Sequence, residues 1–146
     1  MATTKTAEVT WEGDLMSGKG TLERVGSGAI ASLPVSWAAR TGEGEREQTS
    51  PEELIAAAHA SCFSMALSNT LAKAGTPPRS LSVSAAVTFV PGTGITTSDL
   101  EVAGDVPGID EDAFRSAAED AKENCPVSSA LKGNVALSVT VRLATS

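Results

Sequence analysis

The chain has 146 residues, the length of one ordinary domain, so a single domain over 1–146 with one core is expected. Eleven Lys and Arg against 18 Asp and Glu leave a net charge of −7, a surface that repels phosphate and excludes nucleic acid as a natural partner. Hydrophobic residues make up 41% but aromatics only 3%, with no Tyr, so the core is expected to consist of Ala, Val, Leu and Ile. No run of about 18 uncharged apolar residues is read as a bilayer span, and MATTKTAEVTWEGD lacks the apolar stretch of a secretory signal. A soluble, cytoplasmic protein with no membrane partner is therefore expected.

Apolar residues alternate at Ala7, Val9 and Trp11 and again at Leu33, Val35 and Trp37, which predicts two strands. Pro34 lacks an amide donor, so the second is an edge strand. The Gly-rich stretch between them predicts a short hairpin strand near Thr21 to Val25, and the polar run from Arg40 to Thr49 predicts a loop. A helix follows with a clear start: Ser50 as N-cap, Pro51 at the first position, Glu53 completing a capping box, and Glu52 and Glu53 in the first turn. It is expected to run from Pro51 to Ala74, where Gly75, Pro77 and Pro78 stop it. Apolar residues surround most of this helix, so it should be enclosed by protein on every side. One short chain would hardly do that alone, which points to a homodimer.

Leu81, Val83, Ala85, Val87 and Phe89 alternate as a strand, PGTG turns the chain, and Leu100 to Ala103 begins another. A second helix is predicted from the N-cap Asp110, with Phe114, Ala117, Ala118 and Ala121 buried. Pro126 ends it just after Cys125, and a helical turn over Ser128 to Leu131 follows. Val135 to Leu143 form the last strand. Grouped strands and helices indicate an α+β fold.

Chemistry is sparse: two cysteines, Cys62 and Cys125, and one histidine, His59. Cytosolic cysteines are seldom structural disulfides, leaving free thiols, metal ligands or redox partners. Taken alone, the residues favour structural thiols, because sixty-three residues separate the pair and no CxxC spacing links them. His59 precedes Cys62 by three positions and faces nearly the same side, which permits a shared zinc ion, although a hydrogen-bonded core histidine is the commoner case. Cys62 lies too deep in its helix for the dipole to activate it. A reactive Cys62 needs a cation, for which Arg40, Arg46, Lys122 and Lys132 are candidates. Arg suits the task better than Lys, and Glu52 is a carboxylate that could hold it.

The run TSPEELIAAAHASCFSMALS, with WEGD and GKGT before it and PGID and NCPVSSAL after it, resembles the OsmC/Ohr family of thiol peroxidases, in particular its osmotically inducible protein C subgroup. The resemblance covers nearly the whole chain in order. It implies an OsmC-like α+β fold, two antiparallel sheets around long central helices in an intertwined homodimer. It also implies reduction of organic hydroperoxides, and more weakly hydrogen peroxide, in an oxidative or osmotic stress setting. By that resemblance Cys62 is the peroxidatic thiolate, Cys125 the resolving thiol, Arg40 the thiolate-stabilising arginine and Glu52 the glutamate that orients it. A lipoyl- or thioredoxin-type dithiol would be the reductant, and no metal or organic cofactor is required. The alternative is a non-catalytic redox-sensing or ligand-binding module of the same fold. Ten residues of helix separate Glu52 from Cys62 by about 15 Å along the axis, so Arg40 and Glu52 are expected to serve the Cys62 of the other subunit.

Overall fold

The alternating residues at the start of the chain form an antiparallel sheet of β1 (Ala7–Glu12), β2 (Lys19–Val25) and β3 (Ala31–Val35), in the order β1-β2-β3. Pro34 lies in the edge strand β3, where its missing amide leaves no rung unpaired. Its carbonyl accepts from Thr49 N at 2.8 Å. The computed structural model describes residues 1–42 and 47–144. They divide into two compact units, Met1–Leu54 and Ile55–Ser146.

The first unit departs from the sequence expectation at Trp37, which opens a short helix α1 (Trp37–Thr41) instead of closing a strand. Ser36 is the reason. Its backbone is extended and its Oγ accepts from Ala39 N at 3.0 Å, which caps the turn that Ala38 and Ala39 then continue. Gly42 ends α1 with φ 88, a left-handed conformation that glycine adopts freely. Arg40 and Thr41 are thus helical where a loop was expected. Arg46 lies outside the described residues.

Helix α2 (Pro51–Lys73) begins where the capping signal placed it. Glu53 N donates to Ser50 Oγ at 3.2 Å, while the Glu53 carboxylate accepts from Thr49 Oγ1 at 3.0 Å, one residue upstream of the capping-box partner. The helix stops one residue earlier than expected. Gly75, at φ 86, follows, and Thr76 N bonds back to Leu71 O at 2.9 Å.

In the second unit, β4 (Ser80–Val90), β5 (Gly94–Asp105) and β6 (Ala136–Leu143) form a sheet in that order. The β4–β5 hairpin is antiparallel, but β6 runs parallel to β5. The expectation of two antiparallel sheets is corrected here to one antiparallel and one mixed. The cause is the connection: α3 (Glu111–Asn124) and α4 (Pro126–Leu131) carry the chain from the end of β5 back to its start, the long crossover that parallel pairing needs.

The core of this unit is one cluster. His59, Phe63, Leu67 and Leu71 are spaced by four along α2 and are all fully buried. The three apolar members pack with Leu100 and Val102 of β5, Phe114, Ala118 and Ala121 of α3, and Cys125. Each such buried Leu or Phe contributes about 1.5–3 kcal/mol. Besides Glu52 in its first turn, the buried residues of α2 are this stripe, and Met65 on another face is 73% exposed. By length and composition α2 could cross a membrane, contrary to the expectation from its interrupted apolar run. Its packed stripe is that of a core helix.

Candidate active site

Two elements distant in sequence bring the cysteines together. Cys62 sits one position before the buried Phe63, so it lies at the margin of the packed stripe and is half-buried. Cys125 is fully buried, held at the junction where α3 ends and α4 begins. Pro126 explains that junction, because proline ends one helix and suits the first position of the next. Cys125 thereby becomes the N-cap of α4, and its Sγ accepts from Ser128 N at 3.3 Å.

The Cys62 thiol meets the Cys125 side chain and the Val127 backbone amide. Burial pushes it above the ordinary thiol value, the Val127 N–H opposes that, and Cys125 adds to the rise. Both cysteines are free thiols. Within its own unit, Cys62 is therefore placed beside a second thiol yet held in its protonated form.

His59 is enclosed. Its Nδ1 lies 2.6 Å from Ser98 Oγ and its Nε2 lies 2.8 Å from Ser128 Oγ. Burial holds the imidazole below its usual value, so it is neutral at pH 7. Both ring nitrogens are engaged by hydroxyls, the arrangement of a hydrogen-bonded core histidine. Ser128 also accepts from the Cys125 thiol, Sγ to Oγ 3.3 Å.

Sequence reasoning missed Ser98 and Ser128. Ser98 shares the inward side of β5 with Leu100 and Val102 by simple alternation. Ser128 is the third residue of α4, the position an N-cap side chain reaches.

In the first unit Arg40 Nε donates to Glu52 Oε1 at 2.8 Å, and the Glu52 side chain is 8% exposed. Among the described residues the other candidate cations are engaged with acids: Lys122 with Glu119 at 2.9 Å and Glu123 at 3.7 Å, and Lys132 with Glu123 at 2.7 Å.

A family model described as OsmC-like protein matches residues 42–140. The chain belongs to the OsmC-like family. Cys62, Cys125 and Glu52 fall inside the matched span, and Arg40 lies two residues before it. The chain is 43% identical to peroxiredoxin OsmC of Escherichia coli over 136 residues, 91% of this chain and 93% of that protein. The fold is also that of organic hydroperoxide resistance protein OhrB of Bacillus subtilis, with TM-score 0.67 at 23% identity, covering 94% of this chain and 98% of the other. An organic hydroperoxide resistance protein from Elizabethkingia anophelis gives TM-score 0.70 at 24% identity, covering 99% and 100%. The α+β, OsmC-like architecture expected from the sequence is thus the one found.

Proposed function

We propose that this OsmC-like chain is a thiol peroxidase that reduces organic hydroperoxides, and more weakly hydrogen peroxide. The observation that carries the reading is the contact between Cys62 and Cys125, sixty-three residues apart in sequence and adjacent in the second unit. The name of the Escherichia coli relative supports peroxidase chemistry.

In the proposed cycle the Cys62 thiolate attacks the terminal peroxide oxygen, the O–O bond breaks, and the leaving alkoxide takes a proton to become the alcohol. Cys62 is left as a sulfenic acid. The Cys125 thiol displaces hydroxide from that sulfur, forming the Cys62–Cys125 disulfide and water. An external dithiol, lipoyl- or thioredoxin-type, reopens the disulfide by exchange.

Because burial raises the Cys62 thiol, thiolate formation requires a cation, and Arg40 held by Glu52 is the group we assign. A planar guanidinium anchored through Nε by a carboxylate suits that task. We assign it to the Cys62 of a second copy in a homodimer. The long axial separation of Glu52 from Cys62 on α2 supports this, as does the exposed Met65 face. The two units are taken as one functional domain, a reading that the 91% of this chain aligned with the Escherichia coli relative supports. A cytoplasmic, metal-free enzyme fits this thiol chemistry.

The test is direct. Reduced protein given one equivalent of cumene hydroperoxide should lose both free thiols and yield a Cys62–Cys125 cross-linked peptide on mass mapping. Recovery of both cysteines as thiols, with the hydroperoxide unconsumed, would contradict the reading.

A further inference from the structure

The buried polar groups behind Cys125 form a continuous line. The Cys125 thiol donates to Ser128 Oγ at 3.3 Å, Ser128 Oγ lies 2.8 Å from His59 Nε2, and His59 Nδ1 lies 2.6 Å from Ser98 Oγ. Their directions follow from bookkeeping of protons. Ser128 has one O–H and accepts from the thiol, and Nε2 is the acceptor within its reach, so in the tautomer with Nε2 unprotonated that O–H points at the ring. The ring proton is then on Nδ1, donated to Ser98. The line thus runs from the Cys125 sulfur through one hydroxyl to the imidazole, and on to Ser98.

We propose that Ser128 and His59 form the proton route that activates Cys125, with Ser128 taking the thiol proton and His59 acting behind it as a positioning base. The inference rests on the assignment of Cys125 as the thiol that resolves oxidised Cys62. As the Cys125 sulfur attacks, the S–O bond of the Cys62 sulfenic acid breaks and the S–S bond forms. Cys125 sulfur is oxidised and Cys62 sulfur is reduced. The thiol proton passes to Ser128 Oγ while the Ser128 proton passes to His59 Nε2, and the departing hydroxide is neutralised by the proton that His59 returns. Disulfide and water are the products, and His59 ends neutral. Burial opposes a lasting imidazolium, so the proton is handed on and not stored.

This arrangement also accounts for a polar cluster inside an otherwise aliphatic core. His59, Ser98 and Ser128 are buried to within about one per cent. Side chains serving packing alone would be replaced there by Leu or Ala at no loss of hydrogen bonding.

The experiment separates the two chemical phases. Reduced protein is mixed with one equivalent of cumene hydroperoxide and quenched over time, reading the dimedone adduct at Cys62 and the disulfide by intact mass. Ser128→Ala and His59→Gln are compared with wild type. Leu71→Ala, a core truncation about three turns along the same helix face, controls for general loosening, and thermal melts confirm folding. Sulfenic acid formation should stay within about twofold of wild type in every variant. Disulfide formation should slow about a hundredfold in Ser128→Ala and His59→Gln, the lower end of what positioned proton transfer contributes, and should hold in Leu71→Ala. Gln can accept the Ser128 hydrogen bond but holds no proton, so a wild-type rate in His59→Gln overturns the route. An unchanged rate in Ser128→Ala overturns it as well, and is decisive if the His59 variant does not fold. Equal slowing in Leu71→Ala assigns the effect to loosening and overturns it too. If wild type forms no sulfenic acid, the peroxidase reading fails first and this inference falls with it.

Discussion

Arg40 Nε and Glu52 Oε1 stand 2.8 Å apart, joining the last turn of α1 to the first turn of α2. The pair is asymmetric, with 29% of the Arg40 side chain and 8% of the Glu52 side chain exposed. Glu52 Oε2 is buried without a hydrogen-bond partner among the described residues. Among the described residues Arg40 is the cation paired with that carboxylate's other oxygen. A double-mutant cycle with Arg40→Ala and Glu52→Gln, read by denaturant unfolding, should give a coupling of about 1.5–3 kcal/mol, as for hydrogen bonds to charged groups. Additive effects would contradict a structural pairing.

Activation of Cys62 makes a separate prediction. Burial raises its thiol and the Cys125 side chain adds to that, and in the proposed function Arg40 is the opposing cation. The pH profile of iodoacetamide alkylation, measured in a Cys125→Ser background, should move to higher pH when Arg40→Ala is added. Identical profiles with and without Arg40 would remove Arg40 from the site.

His59 sets a pH dependence of stability. Burial holds its folded pKa below the ordinary 6.5, while in the unfolded chain it titrates near about 6.5. Between those values the unfolded state binds more protons, so stability is complete above the unfolded value and is lost as pH falls below it. The groups facing the ring are the Ser98 and Ser128 hydroxyls, with the Cys125 thiol beyond. Asp14, lowered by its Ser17 hydrogen bonds, and Glu123, lowered by Lys132, act only below their ordinary 3.8 and 4.5. The denaturant midpoint should drop from about pH 7.5 to about pH 5.5 in wild type, and less in His59→Gln. Equal slopes would contradict the assignment.

Packing of α3 on the sheet gives a stability prediction independent of the thiols. A Cβ at Gly104 of β5 would stand 2.5 Å from Phe114 Cζ and 2.9 Å from Cε1, and Phe114 is fully buried. Gly104→Ala should lower stability by about 1–3 kcal/mol, the usual cost of overpacking. A melting temperature unchanged by the substitution would show that Phe114 has room to move.

Much of this molecule is legible in its sequence because the signals are local. Ser50 and Pro51 start α2, Asp110 starts α3 with Oδ1 accepting from Ala113 N at 2.8 Å, and Pro34 marks an edge. Where local signals compete, the structure departs from the expectation. Trp37 continues an alternating pattern, yet Ser36 caps a helix at that point. The direction of β6 is set by the crossover through α3 and α4, which no residue in β6 itself encodes. At the candidate site, both cysteines and His59 were visible as residue types, and sequence spacing could not say that Cys62 meets Cys125. Ser98 and Ser128 were hidden because serine is common and only its position, inward on β5 or third in α4, makes it unusual.

Repeated turnover, not disulfide formation alone, distinguishes a peroxidase from a redox sensor, which would form the disulfide without repeated consumption. The deciding measurement is steady-state consumption of cumene hydroperoxide and hydrogen peroxide with excess dithiol, comparing wild type, Cys62→Ser and Cys125→Ser. Many equivalents consumed by wild type, faster with the organic substrate, none by Cys62→Ser, and a sulfenic acid without disulfide in Cys125→Ser are the results the account predicts. Consumption that stops at one equivalent in wild type with both lipoyl- and thioredoxin-type dithiols, or that is equal in wild type and Cys62→Ser, would contradict it.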